Sequence, residues 1–215
     1  VRKIAERVLA DIAADTKRRA SDGSRNIETD NSREGATGKI LLEAEIPERY
    51  RHARLADLEG APLNPDWKRG GYCLRGITGC GKSTVAAALV RDWVERHQSA
   101  RPKDVAWVRV GLFVERVKSS THAQSRERGY DILRDFRRKK LIVLDDLGKE
   151  RPHDWEKSIL VNLLWQVYDE KQLLVVTTQK SLQELDAWDD AFASRVGALE
   201  DIKLKQIDRR HEDAK

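Results

Sequence analysis

The feature that most limits what this chain can fold into is an octet, Gly76-Ile77-Thr78-Gly79-Cys80-Gly81-Lys82-Ser83, which fits the pattern GxxxxGK[ST]. Tyr72-Cys73-Leu74 before it reads as a short strand. Behind it Val85, Ala86, Leu89, Val90, Trp93 and Val94 recur at helical spacing and give one apolar face. A strand, a glycine loop and a helix in that order let loop N–H groups converge on an anion, with the helix N-terminus adding its positive end. Gly76 and Gly81 are expected to take conformations that a β-carbon would forbid. Lys82 is placed to reach the outer phosphates of a nucleoside triphosphate, and the Ser83 hydroxyl to ligate magnesium. Ile77, Thr78, Gly79, Cys80 and Thr84 complete the expected cradle.

Downstream, strand and helix patterns alternate. Val105 to Val110 reads as a strand, with a helix around Leu112 to Val117. Leu141-Ile142-Val143-Leu144 is the continuous apolar run of a strand covered on both faces, and it ends in Asp145-Asp146. Trp155, Ile159, Leu160, Leu163, Leu164, Val167 and Tyr168 mark an amphipathic helix, with Asp154 placed to cap it. Leu173 to Val176 is the next buried strand, and Ile202 to Lys205 a weaker last one. This alternation predicts an α/β protein with a doubly wound, parallel, five-stranded sheet.

Sheets of this kind bind ligands at the carboxyl ends of their strands. Asp145 is therefore expected to hold the magnesium, directly or through water, and Asp146 to orient or deprotonate an attacking water. Thr177, Thr178 and Gln179 close the next strand, either touching the γ-phosphate or the lytic water, chiefly through Thr178 and Gln179, or serving as an ordinary polar strand end. Arg195 is either an arginine finger for a neighbouring subunit's site or a plain surface residue on a helix.

At 215 residues the chain suits one α/β domain with an appendage. Residues 1–20 carry Ile4, Val8 and Ile12 at spacing four, an amphipathic helix that needs a surface to cover it. Residues 21–39 are polar apart from Ile27 and read as a flexible linker, leaving 40–215 as the nucleotide-binding domain. Two cysteines and five scattered histidines offer no metal site beyond the nucleotide's magnesium. They fit a reducing cytosol, so a cytoplasmic location is expected. No apolar run approaches the length of a membrane span, and no signal peptide is expected. The net charge of +5 is compatible with nucleic-acid contact without demanding it.

Taken in order, Ile46-Pro47-Glu48-Arg49-Tyr50, the glycine loop, Leu144-Asp145-Asp146-Leu147-Gly148 with Trp155 following, Thr177-Thr178-Gln179, Ser194-Arg195 and Asp208-Arg209-Arg210 are informative together. They resemble the DnaC/DnaI-type helicase loaders and their IstB-like relatives among the AAA+ ATPases, over roughly residues 46–210. The resemblance implies an AAA+ core, ATP and Mg2+ as cofactors, and hydrolysis that is slow without a partner. It further implies assembly on a hexameric replicative helicase, delivery of that helicase to single-stranded DNA, and self-association through the ATP site with Arg195 acting in trans. Residues 1–20 would then grip the helicase as a helix in a groove.

The sequence also departs from that family. Gln179 stands where an asparagine is usual, and Asp146 where most AAA+ ATPases have glutamate. Lys215 follows Gln179 too soon for a full helical lid, so the lid is expected to be absent or minimal, with Arg209 or Arg210 as partial substitutes.

Two other functions share the same core: an IstB-like transposition helper, and a nucleotide-gated adaptor with little hydrolysis. The densest basic stretch, Arg134 to Lys140, is either a phosphate-neutralising surface or a solvated helix end. Phe136 within it is either a base-stacking or a core residue. Cys80 is either a small residue at a tolerant position or a thiol activated by the helix N-terminus.

Overall fold

The computed structural model describes residues 33–120, 129–148, 154–187 and 189–205, the side chains of 129–130 and 154–156 excepted. Residues 1–20, the greater part of the 21–39 segment and Asp208-Arg209-Arg210 lie outside them, as do the side chains of Asp154 and Trp155. The chain divides between Lys39 and Ile40 into two units.

Residues 33–43 are helical (α1), so the stretch whose composition suggests a linker ends in helix. Polar content hides it, but Ile40, Leu41 and Ala44 are buried, at the spacing one helix face needs. The helix stops in a Schellman turn: Ile46 N–H donates to Leu41 O at 3.2 Å and Glu45 N–H to Leu42 O at 3.0 Å. Glu45 takes φ +61, a left-handed position that glycine usually fills.

Five parallel strands follow: β1 (Gly71–Arg75), β2 (Val105–Arg109), β3 (Leu141–Leu147), β4 (Leu173–Thr178) and β5 (Glu200–Lys203). They lie in the order β2-β3-β4-β1-β5. The helices are α2 (Lys82–Arg96), α3 (Val110–Ser119), α4 (Gly129–Phe136), α5 (Asp154–Asp169), α6 (Leu182–Asp186) and α7 (Asp190–Ala198). Val110, expected to end a strand, instead starts α3. β5 begins two residues before the pattern suggested, because Arg75 at the end of β1 grips Asp201 and sets the register Arg75 to Lys203. Among the described residues no helix follows β5.

Alternate strand residues face opposite layers. Tyr72, Leu74, Leu141, Val143 and Val175 pack with α2 and the 40–55 segment. Cys73, Ile142, Leu144, Leu174 and Val176 pack with α3, α4, α5 and α7. All six apolar residues expected on the helix after the glycine loop are buried, and Ala87 and Ala88 with them. Covering Leu89, Val90 and Trp93 contributes about 1.5–3 kcal/mol apiece relative to exposure. That burial fixes the axis of α2, and with it the direction in which its N-terminus points. Phe136 is buried and meets Phe113 edge-on at 5.5 Å, so it is a core residue and has no free face for a base.

Candidate nucleotide site

The loop from Gly76 to Gly81 joins β1 to the first residue of α2. Its glycines act for two different reasons. Gly79 and Gly81 take φ of +83 and +92, where a β-carbon is strained. Gly76 has no such dihedral, contrary to the expectation from its place in the motif. A β-carbon there would sit 2.5 Å from Cys80 Sγ, so close packing excludes a side chain. Cys80 is buried against Gly76 as a small filler.

Lys82 is 7% exposed, and its ammonium donates to Gly76 O at 2.9 Å and Ile77 O at 2.7 Å. The cation is thus held inside the curve of its own loop, where an anion's oxygens would replace those carbonyls. Ile77 and Thr78 at the crest are exposed, and Thr84 is half-buried in the first turn of α2. At the loop's base, Arg75 donates from Nε to Asp201 Oδ1 at 2.6 Å. Those hydrogen bonds to Asp201 raise the guanidinium's pKa against the opposing effect of burial.

The two halves of the expected site meet at Ser83 and Asp145, where Ser83 Oγ donates to Asp145 Oδ1 at 2.8 Å. The carboxylates stand on a β-bulge. Leu144 pairs with Val176 and Leu147 with Thr178, so β3 carries one residue more than β4 between those pairs. Asp146 adopts φ +65 there, and its N–H donates to Thr177 Oγ1 at 2.8 Å. The same Thr177 hydroxyl donates to Asp145 Oδ1 at 2.7 Å. One buried hydroxyl therefore supports both carboxylate residues, at their backbone and at their side chain.

Thr177 belongs to the polar cluster that ends β4 in the sequence, and its alternation with Thr178 about the strand decides which hydroxyl faces β3's carboxylates. Thr178, a candidate for phosphate contact, is fully buried. Its hydroxyl donates to Leu147 O at 2.8 Å and accepts from Lys180 N–H at 3.0 Å. Gln179 does reach the loop, its Oε1 accepting from Thr78 Oγ1 at 2.9 Å.

Arg195 is not brought to the loop by any of its contacts. It donates to Ala191 O at 2.8 Å and lies over the Trp165 ring, 3.4 Å from the centroid, with Tyr168 at 5.5 Å.

Ser83 and Asp145 offer two hard oxygens side by side, the donor type magnesium takes together with phosphates and water. Lys82 and the loop N–H groups supply the positive surround for a triphosphate, so the residues present fit Mg-ATP. Among the described residues no group of three or more His, Cys, Asp or Glu is placed to hold a metal ion by itself. No helix among them is long and apolar enough to cross a membrane.

A parallel 2-3-4-1-5 sheet with the glycine loop after β1 and the carboxylates at the end of β3 defines a P-loop NTPase fold. The chain belongs to the family of IstB-like ATP binding proteins, which matches residues 68–202, more than half its length. Among solved structures it resembles that of DnaI, at TM-score 0.57 and 19% identity, over 77% of this chain and 95% of that one. It also resembles the DnaC helicase loader, at TM-score 0.54 and 22% identity, over 74% of this chain and 100% of that one. A third is the replication initiator DnaA bound to AMPPCP and single-stranded DNA, at TM-score 0.53 and 16% identity, over 76% of this chain and 52% of that one. At these identities the likeness is one of fold. A comparison with curated proteins finds no match.

Proposed function

We propose that this protein is a cytoplasmic, Mg2+-dependent ATPase that assembles on a hexameric replicative helicase and delivers it to single-stranded DNA. The observation that carries the ATPase is the Ser83–Asp145 hydrogen bond, which joins the two expected magnesium ligands across the sheet. The metal, when bound, neutralises phosphate charge during transfer. Lys82 turns from its loop carbonyls to the phosphates, Asp146 orients the attacking water, and Gln179 senses the γ-phosphate from its place beside Thr78. Arg195, held off its own site by Trp165, serves a neighbouring copy. The helicase as partner is supported by the shared fold with DnaI and DnaC.

The family match favours a second function, a transposition helper of the IstB kind. Capture of a cognate helicase against capture of a transposase separates the two. The first test is steady-state ATP hydrolysis with and without single-stranded DNA and the helicase, beside Lys82→Ala. Stimulation that the variant loses supports a loader. Tight ATP binding without turnover under every condition points instead to a nucleotide-gated adaptor.

A further inference from the structure

The residue two places before each of four strands is basic: Lys103 before β2, Lys139 before β3, Lys171 before β4 and Arg69 before β1. Val105, Leu141 and Leu173 stand opposite one another in register, and Gly71 is one residue off, pairing with Leu174. The four cations therefore lie side by side along the amino-terminal edge of the sheet, away from the carboxyl ends where ATP is expected. At about 4.8 Å between strands the row is about 14 Å long. With 41 Lys and Arg in 215 residues, a cation at this place before four of the five strands, Ala198 before β5 being the exception, exceeds what composition supplies.

The row is held rigidly. Gln172, buried, donates from Nε2 to Phe136 O at 2.6 Å and Lys139 O at 2.5 Å, fixing the turn that exposes Arg137 and Arg138. Lys140 N–H donates to Asp104 O at 2.7 Å and Leu173 N–H to Lys140 O at 2.8 Å, extending the ladder beyond the strands. The nearby carboxylates Asp66 and Asp104 are taken by Lys68 and Lys140, at 3.3 and 3.2 Å. Asp169 and Glu170, at the end of α5, are exposed acids beside Lys171, and Glu43, Glu45 and Asp135 share a pocket with Lys139 at the β2 side of the row. Lys171 sits at φ +51, a left-handed position where glycine is less strained, so a cation stands there at a conformational cost. One turn away Tyr168 is 65% exposed, and its carbonyl accepts the Lys171 N–H at 3.1 Å.

From this geometry we infer that the amino-terminal edge of the sheet binds the sugar-phosphate backbone of single-stranded nucleic acid, with Tyr168 stacking on a base. A row of cations along one edge suits a repeating phosphate chain, and an exposed aromatic beside it suits an unpaired base. The inference deepens the proposed loading function by naming the surface for the strand, and it stands or falls independently of the nucleotide site.

The test is fluorescence anisotropy of a labelled oligothymidylate across a salt series, for the full chain and for Lys103→Glu/Lys171→Glu and Arg137→Glu/Arg138→Glu. Binding of a fluorescent ATP analogue, unchanged in both variants, shows that they are folded and that the ATP site is separate. The expected result is at least a tenfold loss of oligonucleotide affinity, with the slope of log K against log salt shallower by about 0.7 per lost contact. Tyr168→Ala is expected to lower affinity without changing the slope. Unchanged affinity and slope in both charge reversals overturn the inference. So does equal binding of duplex DNA, polyglutamate or anionic vesicles, which would make the edge a general anion surface. Loss of ATP turnover with DNA binding intact would count against the proposed function alone.

Discussion

Thr78 at the crest of the glycine loop hydrogen-bonds Gln179 just beyond β4, Oγ1 to Oε1 at 2.9 Å. Gln179 makes that contact through a side chain one methylene longer than asparagine's. Gln179 is thus held beside the crest of the glycine loop.

If Gln179 acts as the proposed γ-phosphate sensor, its removal should affect turnover more than binding. Gln179→Ala is expected to lower kcat about 10- to 100-fold while leaving the affinity for ATP within about threefold. Thr78→Val, which keeps the shape and removes the donor, should give a smaller fall in kcat. Steady-state kinetics with a parallel nucleotide titration measure both, and an unchanged kcat in Thr78→Val would show that the contact does not position Gln179 during turnover.

Thr177 is expected to tune the metal site through Asp145 and Asp146. Thr177→Val removes the donor to Asp145 and the acceptor for the Asp146 N–H together. Loss of such support typically costs about 10–100-fold in metal affinity or activity, so the magnesium needed for half-maximal hydrolysis should rise by about tenfold or more. Thr177→Ser keeps the hydroxyl and should stay near wild type. A magnesium titration of ATPase activity decides it, and failure of serine to rescue would show that the methyl group's packing, not the hydroxyl, is what matters.

The left-handed residues Glu45 and Lys171 give a prediction on stability. Each closes a Schellman turn; at the second, Gln172 N–H reaches Val167 O at 3.0 Å and Lys171 N–H reaches Tyr168 O at 3.1 Å. Glu45→Gly and Lys171→Gly should each stabilise the fold by about 1 kcal/mol, read from chemical denaturation. Lys171→Gly should at the same time weaken oligonucleotide binding. A variant that is more stable yet binds less well is the signature of a cation kept for function at the expense of fold.

Much of this arrangement was legible in the sequence, and the parts that were not share a physical cause. Strand cores such as Leu141 to Leu144 announce themselves because both faces are buried and every residue is apolar. Lys82 and Ser83 stand out because the glycine-loop pattern has fixed spacing, and Asp145 because it ends an apolar strand; the structure brings Ser83 and Asp145 together. The helix 33–43 escaped notice because most of its length is polar, and α6 and α7 are too short to show a repeat. The roles of Thr177 and Thr178 could not be assigned without the bulge in β3, since one inserted residue determines which hydroxyl meets the carboxylates. The basic row needed the register of four separate strands, so only one of its members lay in the run that composition had marked.

Asp104 and Asp92 should respond to acid with opposite signs. Asp104 is 2% exposed; burial alone would raise its pKa, but the Arg101 N–H at 3.0 Å and the Lys140 ammonium at 3.2 Å together hold it below the ordinary 3.8. A depressed folded pKa means the group's contribution is fully present above the unfolded value and is lost as pH falls through the folded one. Asp104→Asn should therefore cost about 1.5–3 kcal/mol at neutral pH, the range for hydrogen bonds to a charged group. The gap from wild type should close as pH drops below 3.8. Asp92 is the reverse case: burial raises its pKa despite Arg96 Nε at 2.8 Å, so its ionised form is penalised in the fold and protonation relieves the penalty. Asp92→Asn should accordingly be neutral or stabilising at pH 7, with its difference from wild type shrinking as pH falls through the raised folded value. Chemical denaturation of the three proteins between pH 7 and pH 3 measures both trends. If Asp104→Asn stayed equally destabilised at the acid end, the loss would come from packing, and the lysine edge that Asp104 anchors would have to be held by Gln172 and the backbone ladder alone.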